Sequence, residues 1–230
     1  MIRAALHAVL LLYTLSVSAI WSQSVACVAG NVVYYSRGGM TRQLTSSGSD
    51  YDPSLSIDGR HVVFVREIRR HPDASGLGEL IEESHLYVVD IDLKQPPRAI
   101  LARAATQSSR SFGWFTEPQF SPTNNSVYFL VPNWAAVTGG LFRLNLASGN
   151  TSFVAAAQKF WVVPFGVYSG KIIVWQNPMF VGGGRYDVFN MLEPSGELNG
   201  VVGFTEEAVK RFLQEVDDDE SYSKSGMQRR

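Results

Sequence analysis

The chain has 230 residues, which is enough for one domain with a sizeable core. Hydrophobic residues make up 45% and charged residues 18%, proportions that exclude a disordered chain and are typical of a globular protein. The formal net charge of -1 excludes a bulk electrostatic attraction to nucleic acid, so no nucleic-acid partner is expected. A single cysteine, Cys27, excludes an internal disulfide bond.

The first residues have the pattern of an export signal. Arg3 gives a short basic start, residues 4–17 are almost wholly apolar, and Ser18 and Ala19 are small residues of the kind that a signal peptidase requires. We therefore predict a signal peptide over residues 1–24 and a periplasmic or secreted protein. An uncleaved membrane anchor is the alternative, because the 18 residues from 4 to 21 are borderline for spanning a bilayer.

Cys27 allows a second alternative. The sequence Ser24-Val25-Ala26-Cys27 faintly resembles a lipoprotein signal, in which Cys27 would be the lipidated N-terminus. Ser24 stands where that signal has a large aliphatic residue, and the apolar run ends several residues too early. A plain, partly buried Cys27 is therefore the preferred interpretation. A membrane is a partner only if Cys27 is lipidated or the signal is uncleaved.

Three segments of the chain repeat the same pattern over twelve residues without a gap. Each has a proline, a short strand, a Gly or Asn at a turn, and an apolar strand that ends in an aromatic residue. The prolines and turn residues are Pro53 with Gly59, Pro118 with Asn124, and Pro164 with Gly170. A second strand pair follows each segment, so each unit predicts four antiparallel strands, called a to d here. An isolated strand pair between Val32 and Thr45 precedes them.

The segment from Ser49 to Phe64 reads Ser-Asp-Tyr-Asp-Pro-Ser-Leu-Ser-Ile-Asp-Gly-Arg-His-Val-Val-Phe and is similar to the TolB-type, or WD40-like (PD40-type), β-propeller repeat. The match is good from Glu117 to Pro122 and weak in the third unit, where Ser-Pro-Asp-Gly is lost. The resemblance implies an all-β fold, a partial or small β-propeller of about 3.5 four-stranded antiparallel blades over residues 25–203. An ordinary β-sandwich is the alternative.

The C-terminal part has a different pattern. Thr205 can cap a helix, and Val209, Phe212, Leu213 and Val216 follow at helical spacing. We predict a short helix over residues 204–216 and a disordered acidic and polar tail over residues 217–230. An open arc of blades would leave strand edges exposed. We therefore expect either this helix or a second copy of the chain to cover the arc.

No motif of catalysis or metal binding is found in the sequence. It has no Gly-x-Ser-x-Gly elbow, no Walker loop and no His/Cys set at metal-ligand spacing, so no enzyme, cofactor or metal is expected. His61 and His85 lie in or beside strands and are interpreted as structural. The run Gly182-Gly183-Gly184 precedes a strand rather than a helix, which favours a flexible connection over a phosphate-binding loop.

Long connections point to a binding surface. The b–c connections over residues 66–84, 132–139 and 177–185, and the d–a connections over residues 102–117 and 155–163, are predicted to be long. Both kinds of connection emerge on one side of a propeller, and long loops on a rigid scaffold often carry function. The candidate binding residues are Arg69, Arg70, His71, Trp114, Phe115, Trp134, Met179 and Phe180. Phe160 and Trp161 are expected to fill the space between blades.

These features favour an exported, non-enzymatic scaffold that binds a protein or a cell-envelope component, with self-association left open. One alternative is a small propeller-type lyase or hydrolase that acts on a polysaccharide or peptide, since fold alone does not determine function. The other is a degenerate remnant of a longer propeller.

Overall fold

The computed structural model describes residues 24–72, 80–102, 114–135 and 138–227. In these residues, fifteen strands form four antiparallel sheets, and a helix follows the last sheet. The first sheet has three strands and the others have four, with the strands of each sheet adjacent in chain order. The predicted fold class, a partial propeller of about 3.5 four-stranded blades with a C-terminal helix, is confirmed.

The strands have the following bounds. The first sheet contains β1 Val25–Ala29, β2 Val32–Arg37 and β3 Met40–Gln43. The second contains β4 Asp50–Leu55, β5 His61–Pro72, β6 Leu80–Asp90 and β7 Arg98–Leu101. The third contains β8 Thr116–Phe120, β9 Ser126–Ala135, β10 Thr138–Asn145 and β11 Thr151–Ala157. The last contains β12 Lys159–Val162, β13 Ile172–Gln176, β14 Val188–Leu192 and β15 Leu198–Gly203.

The first sheet differs from the isolated strand pair predicted between Val32 and Thr45. β1 pairs with β2 in regular antiparallel register and adds a third strand. Its sequence Val-Ala-Cys-Val-Ala has no alternation of polar and apolar residues, so the sequence does not indicate this strand. Cys27 is exposed in β1 and is not the partly buried side chain that was expected.

The first two repeats share the same turn. The His61 N–H donates a hydrogen bond to Ser56 Oγ (2.9 Å), and the Ser126 N–H donates one to Ser121 Oγ (3.1 Å). The turn residues predicted for these repeats have the expected left-handed backbone, with φ of 68° at Gly59 and 55° at Asn124. The predicted register of these two units is therefore correct.

The third repeat is out of register with the other two. Strand a of this unit is β12, which ends before Pro164 instead of following it. The segment after Pro164 forms a 3-10 turn, Gly166–Tyr168, and returns to β13 through Gly170. The Val163 N–H and Gly170 N–H each donate to a carbonyl of this segment, which closes it as a loop. The weak sequence match here thus reflects a real change in structure.

Apolar clusters join neighbouring sheets into an arc. Phe64 of the second sheet packs with Val33 of the first, and Phe129 of the third packs with Val65 of the second. Phe160 is buried between the third and last sheets, as predicted. Side chains of the inner strands add polar links, since Gln119 bonds to the backbone of both Phe160 (3.1 Å) and Val162 (3.0 Å).

A helix, α1 (Glu206–Met227), covers the last sheet. The hydroxyl of Thr205 accepts a hydrogen bond from the Ala208 N–H (3.2 Å), the cap that the sequence predicts. Val209 and Val216 pack with Ile173 and other residues of the last sheet, which agrees with the expectation that the helix covers the arc.

The end of α1 was predicted wrongly. The helix continues past residue 216 into the predicted disordered tail, because the sequence has no Gly or Pro from Thr205 to Ser225. The Gln214 amide also donates to Asp218 one turn on (3.0 Å), which supports this extension. No helix in the described part of the chain is long and apolar enough to cross a membrane.

Candidate binding surface

The long-loop side is the edge of the arc at which each strand a begins and each strand b ends. Two of its predicted loops are strand extensions. β5 and β6 remain paired as far as Pro72 and Leu80, and β9 and β10 as far as Ala135 and Thr138. The described parts of the predicted connections over residues 66–84 and 132–139 are therefore paired strands, and residues 73–79 and 136–137 lie outside the described residues. The backbone register continues through this extension and pairs Arg69 with Glu83.

Four candidate residues belong to these paired strands. The backbones of Arg69, Arg70 and His71 lie in β5, and that of Trp134 lies in β9. Their side chains lie outside the described part of the structure, so their binding role stays a prediction.

Phe115 is a core residue, contrary to its predicted place in the binding surface. Its side chain is only 1% exposed and packs edge-to-face on Phe129, with ring centroids 5.1 Å apart. Its N–H donates to the buried Ser84 hydroxyl (2.9 Å). Trp114 precedes it and is exposed, because successive side chains of an extended segment point to opposite faces.

The connection predicted over residues 155–163 is also not a long loop. Only Gln158 separates β11 from β12. Trp161 lies in β12, and its indole packs against Phe189 with ring centroids 6.0 Å apart. Trp161 therefore packs between the last sheet and α1, and not between two blades as expected.

The connection between β13 and β14 exposes a run of apolar residues that we call the apolar tip, Met179-Phe180-Val181. Met179 is 66% exposed, Phe180 is 55% exposed, and Val181 is fully exposed. The first two residues were predicted from the sequence. Val181 was missed because a lone valine beside three glycines carries no local signal.

The apolar tip is held by a closed turn rather than by the flexible connection predicted for residues 182–184. The Phe180 N–H donates to the Gly184 carbonyl (2.9 Å), and the Gly183 N–H donates to the Phe180 carbonyl (3.0 Å). Gly183 and Gly184 have φ of 92° and 85°, a backbone that only glycine adopts without strain. The ring of Phe180 packs against that of Tyr186 in a tilted arrangement, with centroids 4.5 Å apart.

The base of this connection is fixed by one carboxylate. Asp187 Oδ1 accepts hydrogen bonds from Trp175 Nε1 (2.8 Å) and from Asn177 Nδ2 (2.8 Å). Trp175 belongs to the cluster between the last sheet and α1, so these bonds anchor the connection to the core. The tip is therefore apolar and exposed, and its base is hydrogen-bonded to the last sheet.

Charged residues gather at the starts of the inner strands on the same side. The Glu117 N–H donates to Asp52 Oδ2 (3.0 Å), and Lys159 forms an ion pair with Glu206 (3.4 Å). Burial raises the pKa of the Glu117 carboxyl, the negative charge of Asp52 raises it further, and Lys159 partly offsets both. Asp52 and Glu117 both have a left-handed backbone, with φ of 48° and 51°.

Replacing Glu117 by glutamine should stabilise the protein at neutral pH. The raised pKa means that ionising Glu117 costs free energy in the folded protein as pH rises from its ordinary value of 4.5 through the raised value. The variant avoids this cost, so its advantage in the free energy of unfolding should be present at pH 7 and disappear at pH 3. Urea unfolding at both pH values measures it. If the variant and the wild type differed by the same free energy of unfolding at pH 7 and pH 3, ionisation of Glu117 would not be the cause of the difference.

His61 and His85 each lie beside one carboxylate. His61 Nε2 lies 3.3 Å from Asp90 Oδ1, and His85 Nε2 lies 3.5 Å from Glu83 Oε1. In the described residues, no three His, Cys, Asp or Glu side chains form a group that could hold a metal ion.

Comparison with known proteins identifies the fold. No family model and no curated protein matches the chain. The crystal structure of TolB from Acinetobacter baumannii superposes on 79% of this chain with a TM-score of 0.53 and 14% sequence identity. The chain has a TolB-like β-propeller fold. The match covers 41% of the TolB chain, so this protein spans less than half the length of that relative.

Other solved structures match less well. Porphyromonas gingivalis dipeptidyl peptidase 4 matches 78% of this chain and 31% of its own, with 12% identity and a TM-score of 0.46. The β-propeller domain of the Trilobed protease from Pyrococcus furiosus matches 66% of this chain and 41% of its own, with 16% identity and a TM-score of 0.43. A fold alone does not determine function, so the likeness to TolB leaves binding and catalysis open.

Proposed function

We propose that this protein is an exported, non-enzymatic scaffold that binds a protein or another cell-envelope component through its long-loop side. The apolar tip is the observation that carries this proposal, because three consecutive apolar side chains are exposed on a base fixed by Asp187. Burying such side chains in a partner's pocket is worth roughly 1.5–3 kcal/mol each. The export signal predicted over residues 1–24 supports an envelope or secreted location.

The hydrogen-bonded turn and base of the tip favour a binding role. A loop that is already ordered loses little conformational entropy when it binds, so more of the burial energy appears as affinity. The exposed indole of Trp114 lies on the same side at the start of β8 and adds a second aromatic anchor of the kind found at interfaces.

A pull-down from envelope extract tests this proposal with a matched pair of variants. Phe180→Asp places a charge at the apolar tip and should lower partner recovery at least tenfold, equivalent to about 1.4 kcal/mol. Val167→Asp changes a nearly fully exposed valine in the connection from β12 to β13, at the opposite side of the same sheet. This control should retain wild-type recovery. Equal recovery with both variants would contradict a binding role for the tip.

A propeller-type hydrolase or lyase is the second candidate, favoured by Glu117. A half-buried carboxyl with a raised pKa beside Asp52 and Lys159 has the properties of a general acid. Incubation with oligosaccharide and peptide libraries tests this candidate. Turnover that is lost in Glu117→Gln would establish it, and absence of turnover by the folded wild-type protein on both libraries would contradict it.

A further inference from the structure

In the described residues, the first sheet has three strands where each of the other sheets has four. Asn31 lies in the turn between β1 and β2, and its carbonyl accepts a hydrogen bond from the Asp50 N–H at the start of β4 (3.0 Å). This turn therefore lies on the long-loop side, as b–c connections do, so β1, β2 and β3 correspond to strands b, c and d. Within the described ranges, the missing element is the inner strand a, and β1 pairs with β2 alone.

The inner edge of β1 carries none of the features that keep strand edges apart. Natural proteins protect such edges with charged side chains, prolines or bulges. The strand reads Val-Ala-Cys-Val-Ala, and its register with β2 has no bulge. Val25, Cys27, Val28 and Ala29 are exposed along it. This edge is thus an apolar template for strand pairing.

We infer that β1 pairs with β1 of a second copy of this chain, antiparallel about a twofold axis at Cys27. This register places Val25 opposite Ala29 of the second copy and Ala26 opposite Val28, so each larger apolar side chain faces a smaller one. The strand has no charged residue, so no like charges meet across the axis. Two three-stranded sheets would thereby become one continuous sheet, and the interface would be isologous.

A second copy fits this edge better than another occupant, because the sequence of β1 is complementary to itself about its central residue. The opposite end of the arc is already covered by α1, which packs on the last sheet. Pairing through β1 would satisfy the backbone groups along the free edge of the first sheet. The inference does not depend on the apolar tip or on the proposed partner.

Light scattering and disulfide trapping on the purified full chain test the inference. At an axial position, the two Cys27 Cα atoms would be about 5 Å apart, within the range that a disulfide bridges. Diamide accepts the two electrons and two protons released when the two thiols form the disulfide. We expect a dimeric mass by light scattering and a covalent dimer after diamide treatment. A monomeric mass in the micromolar range would overturn the inference.

A cysteine shifted along the same strand is the matched control. In Val25→Cys/Cys27→Ser, the exposed thiols would lie roughly 14 Å apart across the axis, too far to join. This variant should keep the dimeric mass and give no covalent dimer. Cross-linking as efficient as in the wild type would show random collision and overturn the proposed register.

Like charges at the axis provide a second readout without oxidation. Cys27→Lys places two ammonium groups directly opposite each other and should give a monomeric mass. Val167→Lys, at an exposed site far from β1 in the chain, should remain dimeric. A dimer that survives Cys27→Lys would overturn pairing through β1.

Discussion

Replacing Asp50 by alanine should lower the free energy of unfolding by about 3 kcal/mol, measured by urea denaturation. Asp50 is fully buried and accepts two hydrogen bonds from the Arg66 guanidinium, at 2.6 and 3.1 Å. The guanidinium also lies over the Tyr87 ring, 4.4 Å from its centroid. Burial lowers the pKa of Arg66, but its bonds to Asp50 outweigh this and raise the pKa overall. Without Asp50, a largely buried cation is left unpaired, and the partial exposure of Arg66 keeps the loss near the lower end for such pairs.

The control for this prediction is Asp92→Ala. Asp92 forms an exposed ion pair with Lys94 (2.6 Å), and exposed pairs contribute little to stability. This variant should unfold at the wild-type urea concentration. The double variant Asp50→Ala/Arg66→Met should recover part of the lost stability, because it removes the unpaired charge as well. Equal urea midpoints for Asp50→Ala and Asp92→Ala would show that the Asp50–Arg66 pair does not stabilise the second sheet.

Replacing Val209 by aspartate should detach α1 from the last sheet. Val209 is fully buried among apolar side chains that include Ile173 and Phe189, and a carboxylate there would have no described partner. The free energy that holds the helix on the sheet should fall by about 3 kcal/mol or more. Trp161 and Trp175 belong to the same cluster, so tryptophan emission should shift to longer wavelength as water reaches them.

Lys210→Asp is the matched control, because Lys210 is the next residue along α1 and is exposed. It introduces the same carboxylate without placing it in the cluster, so the emission spectrum and the melting temperature should remain close to those of the wild type. If Val209→Asp and Lys210→Asp give the same spectrum, α1 does not cover the last sheet.

Local chemistry explains which parts of the fold were predictable from the sequence. The turns at Gly59 and Asn124 form through bonds between residues only five apart, such as Ser56 and His61, so their pattern is visible in a short window. The cap of α1 at Thr205 is local in the same way. These features were sufficient to predict four-stranded units and the position at which the helix begins.

Tertiary contacts determined what the sequence could not predict. β1 pairs with β2 and packs on the second sheet through Ala26, and nothing in Val-Ala-Cys-Val-Ala alone marks it as a strand. Phe115 is an aromatic residue of the kind that is common at interfaces, but packing against Phe129 places it in the core. In the candidate surface, the sequence indicated Met179 and Phe180, whereas the fixed base formed by Asp187 depends on bonds to Trp175 and Asn177 ten or more residues away.

Photo-cross-linking in the producing cells tests the central claim, that the apolar tip is the surface through which this scaffold binds its partner. A benzophenone amino acid replaces Phe180 in one variant and the exposed Val167 in a control, and cells of both are irradiated. We predict a discrete adduct of higher mass from position 180 that is absent without light and absent from position 167. No adduct from position 180, or adducts of equal yield from both positions, would contradict the claim.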